Sequence, residues 1–223
     1  MGKKLINRIV HLLPGYGWVS FLAVALIQGL VYWATRVPLA HMEKLDLSTP
    51  LDALVPFQPV WISVYVLSFV SWGVTLVLLY RQRRDHVYRN TSAYILTLLL
   101  TGALFLLLPA AIERPEVPGQ DFFSWLTRLI YSIDQPNNLC PSLHVISSYY
   151  CWRCLYGTEG IPRWYRRFNF VFLLLVCACI LFVKQHLFVD IPTAVLAAEI
   201  PLQLAKRFRW ERVGFAVEGR LRR

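Results

Sequence analysis

The stretch that decides the fold is Gln58-Pro-Val-Trp-Ile-Ser-Val-Tyr-Val-Leu-Ser-Phe-Val-Ser-Trp-Gly-Val-Thr-Leu-Val-Leu-Leu-Tyr80. It holds no charged residue and is closed by Arg81-Gln82-Arg83-Arg84. A helix of about 20 mostly apolar residues crosses the hydrocarbon core of a bilayer, so 58–80 is predicted as a span. Working outward, 18–35 and 93–112 read the same way, and shorter candidates follow at 168–184 and 190–206. A sixth segment, 141–157, is helical in length but contains Ser142, His144, Ser147, Ser148 and Arg153. Polar groups inside a span must face the bundle or a cavity, so this segment is expected to be internal, shielded by the other five. The whole chain agrees: of 223 residues, 57% are hydrophobic and 16% charged. Soluble domains carry about 25% charged residues, which argues against a soluble globular enzyme and against a disordered chain.

The net charge of +10 would suggest nucleic acid in a soluble protein. Sorted by segment it has another meaning. Lys3, Lys4 and Arg8 precede the first span. Arg81, Arg83, Arg84 and Arg89 lie in 81–92, and Arg153, Arg163, Arg166 and Arg167 in 153–167. Lys206, Arg207, Arg209, Arg212, Arg220, Arg222 and Arg223 form the tail, bringing the total to 18 of the 23 basic residues. The alternate segments 36–57, 113–140 and 184–190 hold the other five and eight of the 13 acids. Cytoplasmic loops carry the excess of Lys and Arg. The expectation is therefore an all-α integral membrane protein, a six-transmembrane-helix bundle with both termini cytoplasmic, and no nucleic-acid partner. No repeat, low-complexity run or linker divides it, so residues 1–223 are read as one membrane domain. The first apolar segment is too long for a signal peptide and lacks a cleavage pattern, which makes it a retained anchor. Gly2 opens no myristoylation motif, since Ile6 stands where Ser or Thr is needed. Residues 1–14 and 207–223 read as anchoring flanks. Phe208, Trp210, Val213 and Phe215 would suit a helix lying on the inner surface.

This topology brings chemistry-bearing residues to one membrane depth, the outer face. Arg114 follows span three, Ser142 and His144 open span four, Lys184, Gln185 and His186 end span five, and Asp190 begins span six. His186 and Asp190 are one helical turn apart, within hydrogen-bonding reach. A carboxylate on Nδ1–H fixes the tautomer and leaves Nε2 as nucleophile or base. His144 supplies a complementary acid. Pro141 suits a first helical turn, where Ser142 and free N–H groups form an anion site. Arg114 can grip phosphate oxygens bidentately. Together the set reads as phosphoryl transfer. Two His and an Asp also suit a metal, but the nearby Arg114 and Lys184 favour an anion, and no metal or cofactor is expected.

With these residues set out, the chain resembles the type 2 phosphatidic acid phosphatase superfamily of membrane lipid phosphatases, marked by Lys-x6-Arg-Pro, Pro-Ser-Gly-His and Ser-Arg-x5-His-x3-Asp. Arg114-Pro115 matches the end of the first motif. Pro141-Ser142-Leu143-His144 matches the second with Leu for Gly, and His186-Leu-Phe-Val-Asp190 matches the end of the third. The segments Asp134–His144 and Lys184-Gln-His186 resemble a bacterial branch, and the likeness covers about residues 18–206. Leu107 stands at the first motif's Lys and Cys179-Ile180 at the third motif's Ser-Arg. Two phosphate-gripping cations are thus missing from their usual places, and Lys184 is a candidate substitute.

The resemblance implies that His186 attacks phosphorus to form a phosphohistidine, Asp190 orients it, and His144 protonates the leaving alkoxide. Arg114, Ser142, the Leu143 N–H and Lys184 would hold the phosphate, without a metal. It implies an amphiphilic lipid phosphate or prenyl (pyro)phosphate as substrate. The related branch of inositol-phosphorylceramide and sphingomyelin synthases would instead pass the phosphoryl headgroup to an alcohol with the same His–His–Asp set. A transporter or lipid-binding protein is the non-enzymatic reading, disfavoured by the lack of inverted repeats. The expected location is a bacterial plasma (inner) membrane with the site on the periplasmic or extracellular side, among membrane lipids and with no obligate protein partner.

Other features read more plainly. Asp121 is a candidate N-cap for an interfacial helix over 121–131. His41 and Asp52 read as solvated loop residues. Glu199, about two and a half turns from Asp190, reads as a protonated or helix-paired structural carboxylate. Pro192 would kink a helix already running at His186, or the helix starts near Asp190. Cys151-Trp-Arg-Cys154 and the other cysteines read as packing residues, with Cys140 beside the site.

Overall fold

The computed structural model describes residues 11–221, and all of their regular structure is helical. Helix α1 (Gly15–Ala40) opens behind Pro14. The short α2 (Pro50–Leu54) starts with a capping box: Thr49 and Asp52 satisfy each other's backbone N–H groups, and Pro50 sits where no donor is needed. A 3-10 turn at Pro59–Trp61 leads into α3 (Ile62–Tyr80). Helix α4 (Arg84–Leu107) stops before Pro109, as the restricted residue before a proline requires. Then follow α5 (Phe122–Ile133), α6 (Leu143–Arg153), α7 (Arg163–Phe182), α8 (Asp190–Arg207) and α9 (Glu211–Leu221).

Among the described residues, four helical stretches are long and apolar enough to cross a membrane: Gly15–Ala40, Pro59–Tyr80, Arg84–Leu107 and Arg163–Phe182. The segment expected at 141–157 is shorter in the structure. Helix α6 has 11 residues, about 16 Å, half the hydrocarbon thickness. Ser142 caps its start, and Gly157, in the left-handed region at φ +81°, turns the chain beyond its end. Every residue from Val145 to Cys151 is buried, so α6 is enclosed on all sides, as its polarity led us to expect. Helix α8 has 18 residues and carries Asp190, Glu199, Lys206 and Arg207.

The 81–92 loop is also shorter than expected. Helix α4 begins at Arg84 because His86, Val87 and Tyr88 are buried and keep the charged end helical. Its other end falls at Leu107 rather than 112. Of the flanks, residues 1–10 lie outside the described chain. Helix α9 packs on α4, with Phe215 edge-on to Tyr88 at 5.1 Å.

Large apolar side chains point outward: Leu22, Leu26, Leu30 and Trp33 on α1, Leu67, Val70 and Val74 on α3, and Val171 and Leu174 on α7 are exposed. The apolar interior also holds paired hydroxyls. Tyr94 pairs with Ser147 at 2.9 Å, Thr97 with Tyr150 at 3.0 Å, and Thr75 with Tyr165 at 2.8 Å, while Trp72 Nε1 donates to Ser148 at 2.9 Å. Interhelical hydrogen bonds with an apolar exterior are how helices associate when the surroundings are hydrocarbon. The five cysteines are free, and Cys151 and Cys154 pack in the core.

Glu199 is helix-paired. Arg153 reaches it with Nε and Nη2, each at 3.1 Å, Tyr149 Oη donates at 2.8 Å, and Gln203 adds a fourth bond. Both side chains are about a third exposed, which discounts the full cost of a broken buried pair. Arg153→Met is expected to cost about 1–3 kcal/mol, read as a lower unfolding midpoint in detergent. Adding Glu199→Gln should recover much of that loss; no recovery would show that the pair is not coupled.

Candidate active site

The turn between α7 and α8 sets the central residue. Lys184 takes φ +50°, the left-handed conformation that ends helices and that glycine fills most easily. This folds the chain back so that the N–H groups of Gln185 and His186 both donate to Ile180 O, at 2.9 and 3.1 Å. His186 is thereby buried, 7% exposed. Its Nδ1 lies 2.9 Å from Asp190 Oδ2 and 3.0 Å from Leu139 O. Leu187 N–H donates to the same carboxylate oxygen at 3.0 Å.

The expected His186–Asp190 pair therefore forms, but across a tight turn and not along a helix, because α8 starts at Asp190. Pro192 falls in the first turn of α8, where a helix leaves its N–H groups unpaired, so of the two readings the helix start near Asp190 is the one realised. With Nδ1–H held by two acceptors, Nε2 has no hydrogen-bond partner among the described residues.

His144 comes from a different element. Ser142 caps α6, accepting from Val145 N–H at 3.4 Å, which fixes Leu143 and His144 in the first turn. The His144 ring lies 5.8 Å from the His186 ring, centroid to centroid, and packs against Tyr65 at 4.3 Å and Trp72 at 5.5 Å. Neither of its ring nitrogens has a partner among the described residues, although both are buried. Such groups are costly unless something else completes them.

Both imidazoles line one cavity of about 230 Å³, together with Tyr32, Tyr65, Phe69, Trp72, Asp134, Asn138 and Leu143. Gln28, Tyr32 and Leu143 also line a neighbouring apolar groove of about 390 Å³ between α1 and α3. A larger cavity, about 520 Å³, lies among α1, α4 and α9, and no motif residue lines it.

The expected phosphate ligands are placed differently from one another. Leu143 lines the cavity. Ser142 is fully buried and engaged as a cap. Arg114 donates from Nη1 to the carbonyls of Asp134, at 2.5 Å, and Tyr131, at 3.3 Å, and from Nη2 to Gln185 Oε1. Its guanidinium stacks 4.5 Å over the Tyr131 ring, and its Nε is buried without a partner among the described residues. It braces the C-terminal end of α5 and is not part of the cavity wall. Lys184 turns away as well: its Nζ donates to Asp52 O at 2.8 Å.

Three groups were not legible as site residues. Asp134 is the first. Its two carboxylate oxygens accept from Tyr32 Oη at 2.8 Å and Tyr65 Oη at 2.5 Å. Burial alone would push this carboxyl up. The nearby imidazole of His144, the two tyrosine hydroxyls and His186 outweigh that and hold it below the usual carboxylate range. Asp134 opens the segment compared with the bacterial branch, so the signal was present but carried no assigned role. Tyr32 and Tyr65, polar residues within predicted spans, are the second.

The third is Asp52, read from sequence as a solvated loop residue. It accepts from Phe188 N–H at 2.8 Å and so ties α2 to the turn that carries His186. Burial raises its carboxyl, but the Thr49 hydroxyl, the Phe188 and Thr49 N–H groups and Lys184 bring it below the ordinary range. His41 is exposed, as expected. Cys140 lies with its Sγ 3.4 Å from Thr193 Oγ1. Among the described residues no group of three or more His, Cys, Asp or Glu is arranged to hold a metal ion.

Comparison with family models, with curated proteins and with solved structures finds no match for this chain. The site therefore stands on its own geometry. If Asp190 serves to hold the His186 tautomer, Asp190→Asn should leave the fold intact and lower turnover by roughly 10³–10⁴ with little change in KM. Steady-state kinetics on the purified variant checks this; a loss below tenfold would remove Asp190 from the machinery.

Proposed function

We propose that this protein is a membrane lipid-phosphate phosphatase that works through a phosphohistidine at His186. One observation carries the reading: Asp190 holds Nδ1 of His186 while its Nε2 shares a cavity with His144, a second imidazole, and neither Nε2 nor the His144 ring nitrogens have a hydrogen-bond partner among the described residues. Nucleophile, orienting carboxylate and acid are the parts that phosphoryl transfer through a covalent intermediate needs.

In the first step His186 Nε2 bonds to phosphorus, the bond from phosphorus to the lipid oxygen breaks, and His144 gives that oxygen its proton. In the second, water loses a proton to His144, attacks phosphorus and releases phosphate, restoring both imidazoles. The N–H groups at the start of α6, Leu143 among them, are donors for the developing charge. The neighbouring apolar groove, which shares Gln28, Tyr32 and Leu143 with the cavity, supports an amphiphilic substrate, its tail in the groove and its phosphate at the imidazoles. The positive-inside distribution of Lys and Arg supports six membrane-embedded segments with both termini in the cytoplasm, and a site at the outer face of a bacterial plasma membrane.

A second reading, headgroup phosphotransfer to an alcohol, is favoured by one specific observation. Asp134 faces the cavity, and neither Lys nor Arg lines it. A carboxylate suits an alcohol acceptor or a charged headgroup better than it suits a phosphate dianion. The test is to incubate purified protein with a panel of lipid phosphates, with and without acceptor alcohols, and to measure free phosphate and transferred product. Phosphate release independent of acceptor is expected for the phosphatase. Product formed only with acceptor would replace it by the transferase, and absence of both would end the phosphoryl-transfer reading.

A further inference from the structure

Both ends of the turn that carries His186 are held by one residue of the loop between α1 and α3. Asp52 accepts from Phe188 N–H through Oδ1 at 2.8 Å, and its backbone carbonyl accepts from Lys184 Nζ, also at 2.8 Å. Between those two contacts the chain holds only Gln185, His186 and Leu187. The second carboxylate oxygen, Oδ2, takes the Thr49 N–H at 2.8 Å and the Thr49 hydroxyl at 2.7 Å. Each of the three oxygens of Asp52 is thus engaged. Phe188 lies just before α8, where N–H groups have no partner within the helix, so Asp52 supplies from outside the bond that the turn cannot make for itself. The loop is in turn anchored on both sides of Asp52. Leu45 N–H donates to Pro109 O at 3.0 Å, and Gln58 N–H donates to Phe182 O at 2.9 Å. Leu47 packs against the cluster of Ala110, Leu139 and Leu187, and Leu139 O is the second acceptor of His186 Nδ1. His186 lines the catalytic cavity and also a separate void of about 20 Å³, whose other walls include Asp52, Val55, Ile112 and Lys184. The imidazole therefore stands between the reaction space and this loop.

The geometry points to Asp52 and Lys184 as positioning residues: together they clamp the 184–188 turn and so keep the His186 imidazole in place beside His144. Neither side chain lines the catalytic cavity. The inference rests on His186 as the covalent nucleophile, and it gives Lys184 a different role from the phosphate contact that its charge suggested. A reacting group displaced by about 1 Å loses up to about a hundredfold in rate. The loss falls on kcat, because the contacts that bind the substrate are untouched.

The test compares full-length purified wild type with Asp52→Ala, Asp52→Asn and Lys184→Met on an alkyl phosphate ester and on a nitrophenyl ester. Asp52→Ala and Lys184→Met should each lower kcat by roughly 10–100-fold with KM within about threefold, alike on both esters. Equal loss on the two esters separates alignment of the nucleophile from proton donation to the leaving group. Asp52→Asn keeps an acceptor for Phe188 N–H and should retain most of kcat. Lys184→Met keeps every contact of the Asp52 carboxylate, and it carries the test if Asp52→Ala does not fold. A second measurement needs no substrate. The proton on Nδ1 of His186, held by Asp190 Oδ2 and Leu139 O, gives a low-field proton NMR signal that His186→Asn removes. Asp52→Ala and Lys184→Met should shift or broaden that signal, and Asp52→Asn should leave it in place. A higher KM at constant kcat in Lys184→Met would restore Lys184 as a phosphate ligand and overturn the clamp. Wild-type kcat with an unmoved signal in either variant would also overturn the clamp, and would leave His186 as nucleophile. Absence of turnover by wild type on both esters would overturn the nucleophile, and the signal alone would then decide the clamp.

Discussion

His186→Asn is expected to lower turnover by roughly 10⁴ or more, because it removes the nitrogen proposed to bond to phosphorus. Asparagine is chosen over alanine for a structural reason. His186 Nδ1 satisfies both Asp190 Oδ2 and Leu139 O, and Asp190 is fully buried. Alanine would leave that carboxylate with the Leu187 N–H and a hole, so inactivity would be mixed with instability. The asparagine amide keeps a donor near the Nδ1 position and removes Nε2. The His186→Asn protein should therefore fold and melt like wild type while its activity disappears. The His186→Ala protein should be inactive, less stable, and partly rescued by added imidazole, which can enter the vacated space. Activity in His186→Asn above a few per cent of wild type, on any lipid phosphate that wild type turns over, would remove His186 as nucleophile.

The second large effect concerns His144 and depends on the leaving group. An alkoxide leaving from phosphorus needs a proton, and His144 is the candidate donor, 5.8 Å from His186 between ring centroids with both nitrogens unpartnered among the described residues. General acid catalysis contributes typically about 10²–10⁴. His144→Gln should lower turnover of an alkyl phosphate ester by about that factor. On an ester whose leaving group is already a weak base, such as a nitrophenolate, the same variant should lose less than about tenfold, because little proton transfer is required. Equal losses on both substrates would mean that His144 positions the phosphate and is not the acid. This comparison is insensitive to a general folding defect, which would lower both rates alike.

How much of this was legible in the sequence follows from the physics of each signal. Apolar length is a strong local signal, and it located α1, α3, α4 and α7 to within five residues at every end but one. The exceptions are the charged start of α4, where burial of His86 and Tyr88 keeps a basic stretch helical, and α6. Helix α6 could be read as internal from its polarity but not as 11 residues long, since its limits are set by the Ser142 cap and by the turn at 154–157. The Asp121 cap was legible because it acts within three residues, and the structure shows its carboxylate accepting from Phe123 and Ser124.

The His186–Asp190 contact was legible from spacing, although the turn that makes it depends on the left-handed Lys184 and could not be. Asp134 and the tyrosines that clasp it were not legible. Tyr32 and Asp134 are 102 residues apart, and Tyr65 and Asp134 are 69 apart, so the link exists only once α1, α3 and the loop after α5 have packed together. For the same reason the side chains of Arg114 and Lys184 were assigned to phosphate on charge and depth alone. Their partners are the carbonyls of Asp134, Tyr131 and Asp52, backbone atoms that no sequence motif marks, and the Gln185 side chain.

The central claim is a covalent bond between His186 and phosphorus, and the most direct measurement is to trap it. Purified protein would be mixed with a radiolabelled lipid phosphate ester, quenched within milliseconds in base, where a phosphohistidine survives, then digested and sequenced by mass spectrometry. The expected result is one labelled peptide carrying phosphorus on His186, absent from His186→Asn and lost on brief acid treatment. Active protein that turns over its substrate with no label on His186, or with the label on His144 or Ser142 instead, would contradict the account.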